Sequence, residues 1–295
     1  MQLDISSLSV TEIQNWLQHA IAPRPICLAS TIDKNGQVNL SPFSFFNLFS
    51  TQPPIIIFSP SRRVRDNTVK HTLENLMEVP EVVVNIVDFH MVHQVSLASV
   101  EYAKGLNEFV KSGLTEIPAT LIRPPMVKES KVKMECKVNE IKPLGNKGGA
   151  GNLVIAEVLR LHVDESILDE HHMIDQRKIH HVARLGGHWY CRVDESNLFQ
   201  VEKPNVKIGI GVDSLPLSIR NSQVLNGNNL AQLGNAHEIP LIDPAYYDPE
   251  LNHIIEYFAL NPEEMEKETH RYAKKLLEAG KLKEAWQVLL ANNPT

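Results

Sequence analysis

The spacing of strand-forming runs limits the fold of this chain more than any other feature. Residues 131–141 and 153–163 are two long strand-like runs separated only by Gly145-Asn146-Lys147-Gly148-Gly149-Ala150-Gly151. Residues 25–33 and 37–43 flank Lys34-Asn35-Gly36, whose Asn-Gly pair supplies the positive φ angles of a tight hairpin turn. Residues 54–58 and 82–87 read as two further short strands. Helical patterns interrupt them. One covers 11–20, with Ser9 and Glu12 at capping-box spacing. A second covers 68–77, with Val69, Leu73, Leu76 and Met77 at helical spacing, and a third covers 91–102, ahead of Gly105. Strands and helices do not alternate as βαβ units. The expected fold is therefore mainly β, an antiparallel barrel with peripheral helices, and not a doubly wound sheet. The glycine cluster lacks the Gly-Lys-Ser/Thr ending of a phosphate-binding P-loop and is expected to be a mobile hairpin loop. No GxGxxG fingerprint of a dinucleotide-binding domain is present.

Beyond residue 200 the character changes. Residues 206–240 are rich in Asn, Gly, Ser and Leu with weak periodicity, which suggests an irregular segment packed on the barrel or covering its site. Residues 249–292 turn helical, and 263–279 with 281–290 form an expected antiparallel pair joined at Gly280, a left-handed C-cap. One helical hairpin is too little for a solenoid, so it is expected to pack on the core or on a second subunit. The domain reading is a barrel over 1–200 and an irregular, then helical, extension over 201–295.

At 295 residues and 43% hydrophobic content the chain can bury a large core. Its net charge of −6 comes from interspersed acids and bases, so no basic face suggests nucleic acid and no Lys/Arg run suggests a membrane surface. No export signal or bilayer-spanning run is read from the sequence. Cys27, Cys136 and Cys191 are distant and odd in number, which argues against a disulfide framework and suits a reducing cytoplasm. Cys27 lies in an apolar strand, where a thiol behaves as a small hydrophobe. No GxSxG nucleophile motif occurs, and no catalytic side chain is assigned. His90 with His93, His171 with His172, and His180 with His181 are close sets, but no Cys or carboxylate spacing completes a metal site, so no metal is expected. The partners left are small molecules or the protein itself.

Two adjacent segments carry the binding chemistry. Asn39 to Leu48 combines small hydroxyls, Pro42 and three phenylalanines, as a slot for a flat aromatic ligand with polar edges requires. The plainer alternative is a strand end and turn with Phe43, Phe45 and Phe46 in the core. Ser59 to Thr72 then gathers hydroxyls and cations able to hold a phosphate by charge-assisted hydrogen bonds, and it runs into a helix N-terminus. Its alternative is a solvated basic turn. A flat ring plus a phosphate reads as a nucleotide-like cofactor.

The order of these pieces resembles the FMN-binding split-barrel flavoproteins of the flavin reductase-like family, over roughly residues 20 to 195. The landmarks are Arg24-Pro25, Ser30-Thr31-Ile32-Asp33 with Gly36, the Ser41 to Asn47 block, Pro53-Pro54, and Thr68-Val69-Lys70-His71-Thr72 with Asn75. Glu81-Val82-Val83-Val84-Asn85, Glu135-Cys136 and Ala183-Arg184-Leu185-Gly186-Gly187 with Tyr190 follow. The family commonly has Lys-Asp-Thr where this chain has Lys70-His71-Thr72.

The resemblance implies an FMN cofactor. Ser41, Pro42, Phe43, Ser44, Phe45 and Phe46 would line its isoalloxazine, with Ser44 and backbone amides on the polar edge. Ser59, Arg62, Arg63, Thr68, Lys70 and Thr72 would meet the phosphate. Thr31 and Asn39 would contact the ribityl chain or ring edge, with Arg184 on the far side. His180, His181 and Arg184 sit just before Leu185-Gly186-Gly187, which makes one of them a candidate to reach the cofactor pocket of its own or a neighbouring subunit; the plainer reading for most of the histidines is a surface or core-satisfied imidazole. The resemblance also implies a homodimer and reduction of bound FMN by NADH or NADPH, entering as a substrate. Electrons would pass to free flavin, a monooxygenase partner or another redox protein. Two alternatives are a flavoredoxin-like electron carrier and a non-catalytic flavin- or haem-binding module.

Overall fold

The structure is a computed structural model that describes residues 1–201, 203 and 208–291. Val206 and Asn292, which bound two of the expected segments, lie outside the described residues. The chain forms two compact units, Met1–Phe199 and Gln200–Thr295. Among the described residues no helix is long and apolar enough to cross a membrane.

The first unit begins with α1 (Val10–Ala20), whose Ser9/Glu12 capping box forms in both directions. Strands β1 (Arg24–Pro25), β2 (Cys27–Ile32), β3 (Val38–Phe43), β4 (Phe46–Thr51) and β5 (Pro54–Phe58) precede α2 (His71–Glu78). Then come β6 (Glu81–Ile86), α3 (Val92–Leu97), α4 (Glu108–Ser112), β7 (Glu116–Ile117) and β8 (Met126–Val127). The long strands β9 (Val132–Pro143) and β10 (Asn152–Val163) follow, and β11 (Val182–Arg184) and β12 (Tyr190–Arg192) close the unit. Seven strands form one antiparallel sheet in the order β3-β2-β6-β9-β10-β5-β4.

That order itself requires a barrel. β3 and β4 are the two edges, and laid flat they would stand about 30 Å apart at the usual strand spacing. Yet only Ser44 and Phe45 separate them in sequence, a connection that reaches about 10 Å. The sheet must curl until its edges meet at Ser44-Phe45, which leaves a split there. Register shifts in the β9–β10 pairing, at Ile155/Ala156 and Val158/Arg160, add the local twist such curling needs.

Alternation along β2 explains why it is buried on both faces. Cys27 and Ala29 point into a core with Phe43, Phe58, Val82, Val84 and Val154, while Leu28 joins Met91, Val95 and Phe109 on the other side. Burial pushes the Cys27 and Cys136 thiols up, which suits inert core residues. Helix α2 sends Leu73 and Leu76 into the first core and is bolted to the sheet by two buried hydrogen bonds. Asn39 Nδ2 donates to Thr72 Oγ1 (2.9 Å) and Asn75 Nδ2 to Thr31 Oγ1 (3.2 Å).

A buried carboxylate ties the segment around Thr120 to β9. Glu135 is fully buried and accepts from Thr120 N, Thr120 Oγ1, Leu121 N (2.6 Å), Ile122 N and His162 Nε2 (2.7 Å). Burial opposes its ionisation, but these donors outweigh it and hold the carboxyl down at about 2.

Several local expectations need correction. The turn after β2 uses positive φ only at Gly36, because the Asp33 carboxylate accepts from Asn35 N and Gln37 N and holds a longer loop than a two-residue hairpin. Helix α2 starts at His71 and not at Thr68, since Asp66 takes the Thr68 N–H and hydroxyl into a turn of its own. The 91–102 helix is only α3; Ser99 Oγ donates back to Ser96 O (2.6 Å) as the helix ends.

The second unit has its own core. It contains α5 (Leu217–Arg220), α6 (Gly227–Gly234), α7 (Pro249–Tyr257), α8 (Pro262–Glu278) and α9 (Leu282–Ala291). The α8–α9 hairpin turns at Gly280, with φ +72°. The stretch expected to be irregular supplies Leu215, Ile219, Leu225 and Leu233 to the same core as Leu276, Trp286 and Leu289. Its helices are four and eight residues long, too short for periodicity to reveal.

Candidate functional site

A cleft of about 650 Å³ lies between α1 and the loop that leads into α2. The helix gives it an apolar wall: Val10, Ile13 and Leu17, at i, i+3 and i+7, line it together with Ile21. None of the α1 residues is buried, so this face is presented to the cleft instead of to a core. Arg24 holds the helix in place. Its guanidinium, 7% exposed, donates to Gln18 O (2.7 Å), Ile21 O (2.6 Å) and Leu185 O (3.0 Å), a cation on the C-terminal carbonyls of α1. Burial, and then Arg184, push its pKa down, though an arginine in such a setting stays charged.

The opposite wall is cationic. Arg62, Arg63, Arg65 and Lys70 line the cleft with Phe45, Glu101 and Gly149. Arg62 is clamped within its own loop, donating to Asn67 Oδ1 and Asn67 O at 2.6 Å each. Arg63 donates to Glu101 Oε1 (2.9 Å), Thr68 Oγ1 (2.9 Å) and Val69 O (2.6 Å). The glycine loop, expected to be a mobile hairpin loop, is hydrogen-bonded to this segment: Arg62 N donates to Ala150 O (2.8 Å) and Gly149 N returns to Arg62 O (3.0 Å). Side chains would not fit, since a Cβ on Gly148 would stand 2.8 Å from Val64 O and one on Gly151 2.6 Å from Ser59 Oγ.

Lys70 differs from its neighbours. Among the described residues its ammonium has no hydrogen-bond or carboxylate partner; it sits 5.6 Å from the centroid of the Phe43 ring. Burial first, then Arg63, push its pKa below the usual lysine value, with Glu101 opposing them. It is the N-cap residue of α2, and its side chain makes no capping hydrogen bond to that helix.

The structure brings some of the sequence candidates together and disperses others. Phe45, Arg62, Arg63 and Lys70 share the cleft. Asn39, Ser41 and Thr72 line a small adjoining hollow with Arg63, Lys70 and His71, although the Asn39–Thr72 bond also serves to seat α2. Burial pushes the His71 pKa down and so favours its neutral form, and an imidazole supplies no carboxylate at this position. Thr31 is fully buried against Asn75 and away from the cleft. Phe43 belongs to the core, with its ring 5.2 Å from that of Phe58, and Phe46 packs on the same core; of the three phenylalanines only Phe45 reaches the cleft.

Pro42 is in the β2–β3 ladder opposite Leu28, and Ser44 Oγ lies 3.5 Å from Arg24 Nε. Ser59 lies under Gly151, and Thr68 is engaged by Asp66 and Arg63. Arg184 is occupied by Trp189 O and Gly187 O and stacks on Tyr190, outside the cleft lining. His180 and His181 do not line the cleft either, and among the described residues no His, Cys, Asp and Glu group is placed to hold a metal.

Sequence reasoning missed Arg65, Glu101, the cleft role of Arg24 and the whole α1 wall. The periodic apolar residues of α1 were visible, but nothing in the sequence says which surface they face.

The family model for the flavin reductase like domain matches residues 19–183. The chain belongs to that family. A relative from Halalkalibacterium halodurans is 35% identical over 208 residues, covering 70% of this chain and 98% of its own. Among solved structures, nitrilotriacetate monooxygenase component B from Bacillus cereus is 28% identical with a TM-score of 0.64, covering 68% of this chain and 98% of its own. A Shewanella frigidimarina protein with a split barrel domain is 26% identical with a TM-score of 0.59, covering 69% and 99%. The curled seven-stranded sheet is thus the split barrel of a flavin reductase-like domain. Helix α1 lies almost wholly before the matched residues and the second unit lies after them.

Proposed function

We propose that the chain binds FMN in the α1 cleft and catalyses its reduction by NADH or NADPH, passing electrons to free flavin, a monooxygenase or another acceptor. The observation that carries this reading is Lys70, a half-buried ammonium without an anionic partner at the N-cap of α2, beside three arginines and an apolar cleft. A phosphomonoester with a charge near −2 supplies what that ammonium lacks. The cleft volume falls within the roughly 300–1,000 Å³ of small-molecule sites, and its walls divide into apolar and cationic as a ring with a phosphate tail requires. A bound flavin would supply hydride and electron transfer, which the side chains present do not.

The chain's own residues then bind, orient and exclude water. Lys70, Arg63 and the first N–H groups of α2 hold the phosphate. Val10, Ile13, Leu17 and Phe45 shield the ring from water, and the glycine loop fixes Arg62 and Arg63 in register. The Bacillus cereus relative is a monooxygenase component, which supports a monooxygenase as one recipient. A homodimer is part of this proposal: Leu48 and Phe49 on edge strand β4 are 58% and 64% exposed and need cover.

The test is the absorption spectrum of the purified protein, followed by NADH and NADPH oxidation with and without added FMN. Saturable oxidation that requires FMN is the expected result. Electron exchange with a reduced redox protein alone would make it a carrier, and flavin absorbance with neither activity would make it a binding module.

A further inference from the structure

The large cleft and the small polar hollow share one wall, formed by Arg63, Lys70 and Glu101. Glu101 comes from the segment after α3 and reaches across to the arginines of a distant loop. Its Oε1 accepts from Arg63 Nε (2.9 Å) and its Oε2 from Arg65 Nη2 (2.5 Å). Neither arginine depends on it alone, because Arg63 is also held by Thr68 Oγ1 and Val69 O, and Arg65 by Asp66. Asp66, in the same loop but outside both linings, uses Oδ1 for the Thr68 N–H (3.0 Å) and hydroxyl (2.6 Å) and Oδ2 for Arg65 Nε (3.2 Å). Glu101 is different: both of its hydrogen bonds go to cations, and its side chain is 40% exposed. Ion pairs this exposed are weak and readily competed by other anions.

We propose that Glu101 is an internal competitor for the ligand's phosphate: it occupies donors on Arg63 and Arg65 that an incoming phosphate takes over, and so keeps FMN an exchangeable ligand. This rests on the flavin reading above. An oxyanion entering between Lys70 and Arg63 meets a carboxylate already bonded to Arg63, so binding must displace Glu101 or tolerate its repulsion. Riboflavin, without the phosphate, has no reason to displace it. Glu101 therefore sets how much the phosphate contributes to affinity, and with it whether the flavin turns over as a substrate or stays as a fixture.

The test uses the full chain and Glu101→Gln, which keeps a hydrogen-bond acceptor for Arg63 while removing the charge, with Glu101→Ala as a second variant. FMN and riboflavin are titrated by flavin fluorescence and FMN release is timed by stopped flow. Both variants are expected to bind FMN about threefold to tenfold more tightly, with slower release, and riboflavin within about twofold of wild type. FMN affinity unchanged or weakened, or riboflavin tightened equally, would overturn the inference and make Glu101 a brace for the arginines. Wild-type protein that binds neither flavin would defeat the flavin reading and this inference with it. Wild-type protein that binds FMN, with variants that bind it no better, defeats the inference alone.

Discussion

Two charged groups in the first unit are satisfied in opposite ways. Glu135 is saturated by donors, so its contribution is to stability. Its folded pKa of about 2 lies below the ordinary 4.5, so the stabilisation is present in full above pH 4.5 and is lost as pH falls from there towards 2. The gap corresponds to about 3 kcal/mol at neutral pH. Urea unfolding at pH 7, 4.5 and 3 should show that loss in wild type, and Glu135→Gln should be less stable at pH 7 by about 2–4 kcal/mol with a flatter acid limb. An unchanged midpoint in the variant would contradict the role given to this cage. Lys70 is the reverse case, an ammonium whose surroundings disfavour its charge. A bound phosphate favours the protonated form, so FMN affinity should fall as pH rises through a Lys70 pKa lying below 10.5. Riboflavin affinity, measured over the same range, should not follow it.

At the scale of elements, α1 separates packing from binding most cleanly. Because it has no buried residue, Leu17→Asp should cost stability only about 0.5 kcal/mol or less, while weakening flavin binding about tenfold by placing a carboxylate on the apolar wall. Thermal unfolding and flavin titration on the same sample decide it, and a large stability loss with intact binding would place Leu17 in a core. The start of α1, with its Ser9/Glu12 box, and most strands were legible in the sequence because caps and alternation are local. A barrel was legible as a fold class because strands and helices do not alternate; where it closes follows from two edge strands joined by Ser44-Phe45, a fact of strand order that local patterns do not carry. Phe43 and Phe45 show the same limit. They lie two residues apart, yet one enters the core and the other reaches the cleft, since the connection between β3 and β4 breaks the alternation. The packing of the glycine loop on Arg62 and Val64 was not legible, because composition reports missing side chains and not the backbone that fills their place.

For the whole molecule, the family match ends before the second unit, which buries its own Trp286, Leu276 and Ile219. We expect a chain ending near residue 200 to fold and retain FMN, with acceptor preference or assembly altered. Light scattering and flavin titration would show this, and a soluble, folded truncation without FMN would place cofactor contacts in the second unit. In the proposed function, everything turns on a flavin phosphate meeting Lys70. The most direct measurement is the affinity of wild type and Lys70→Ala for FMN and for riboflavin. Wild type is expected to prefer FMN, and the variant to lose roughly tenfold to a hundredfold for FMN while riboflavin changes little. Equal losses for both flavins, or none for either, would contradict it.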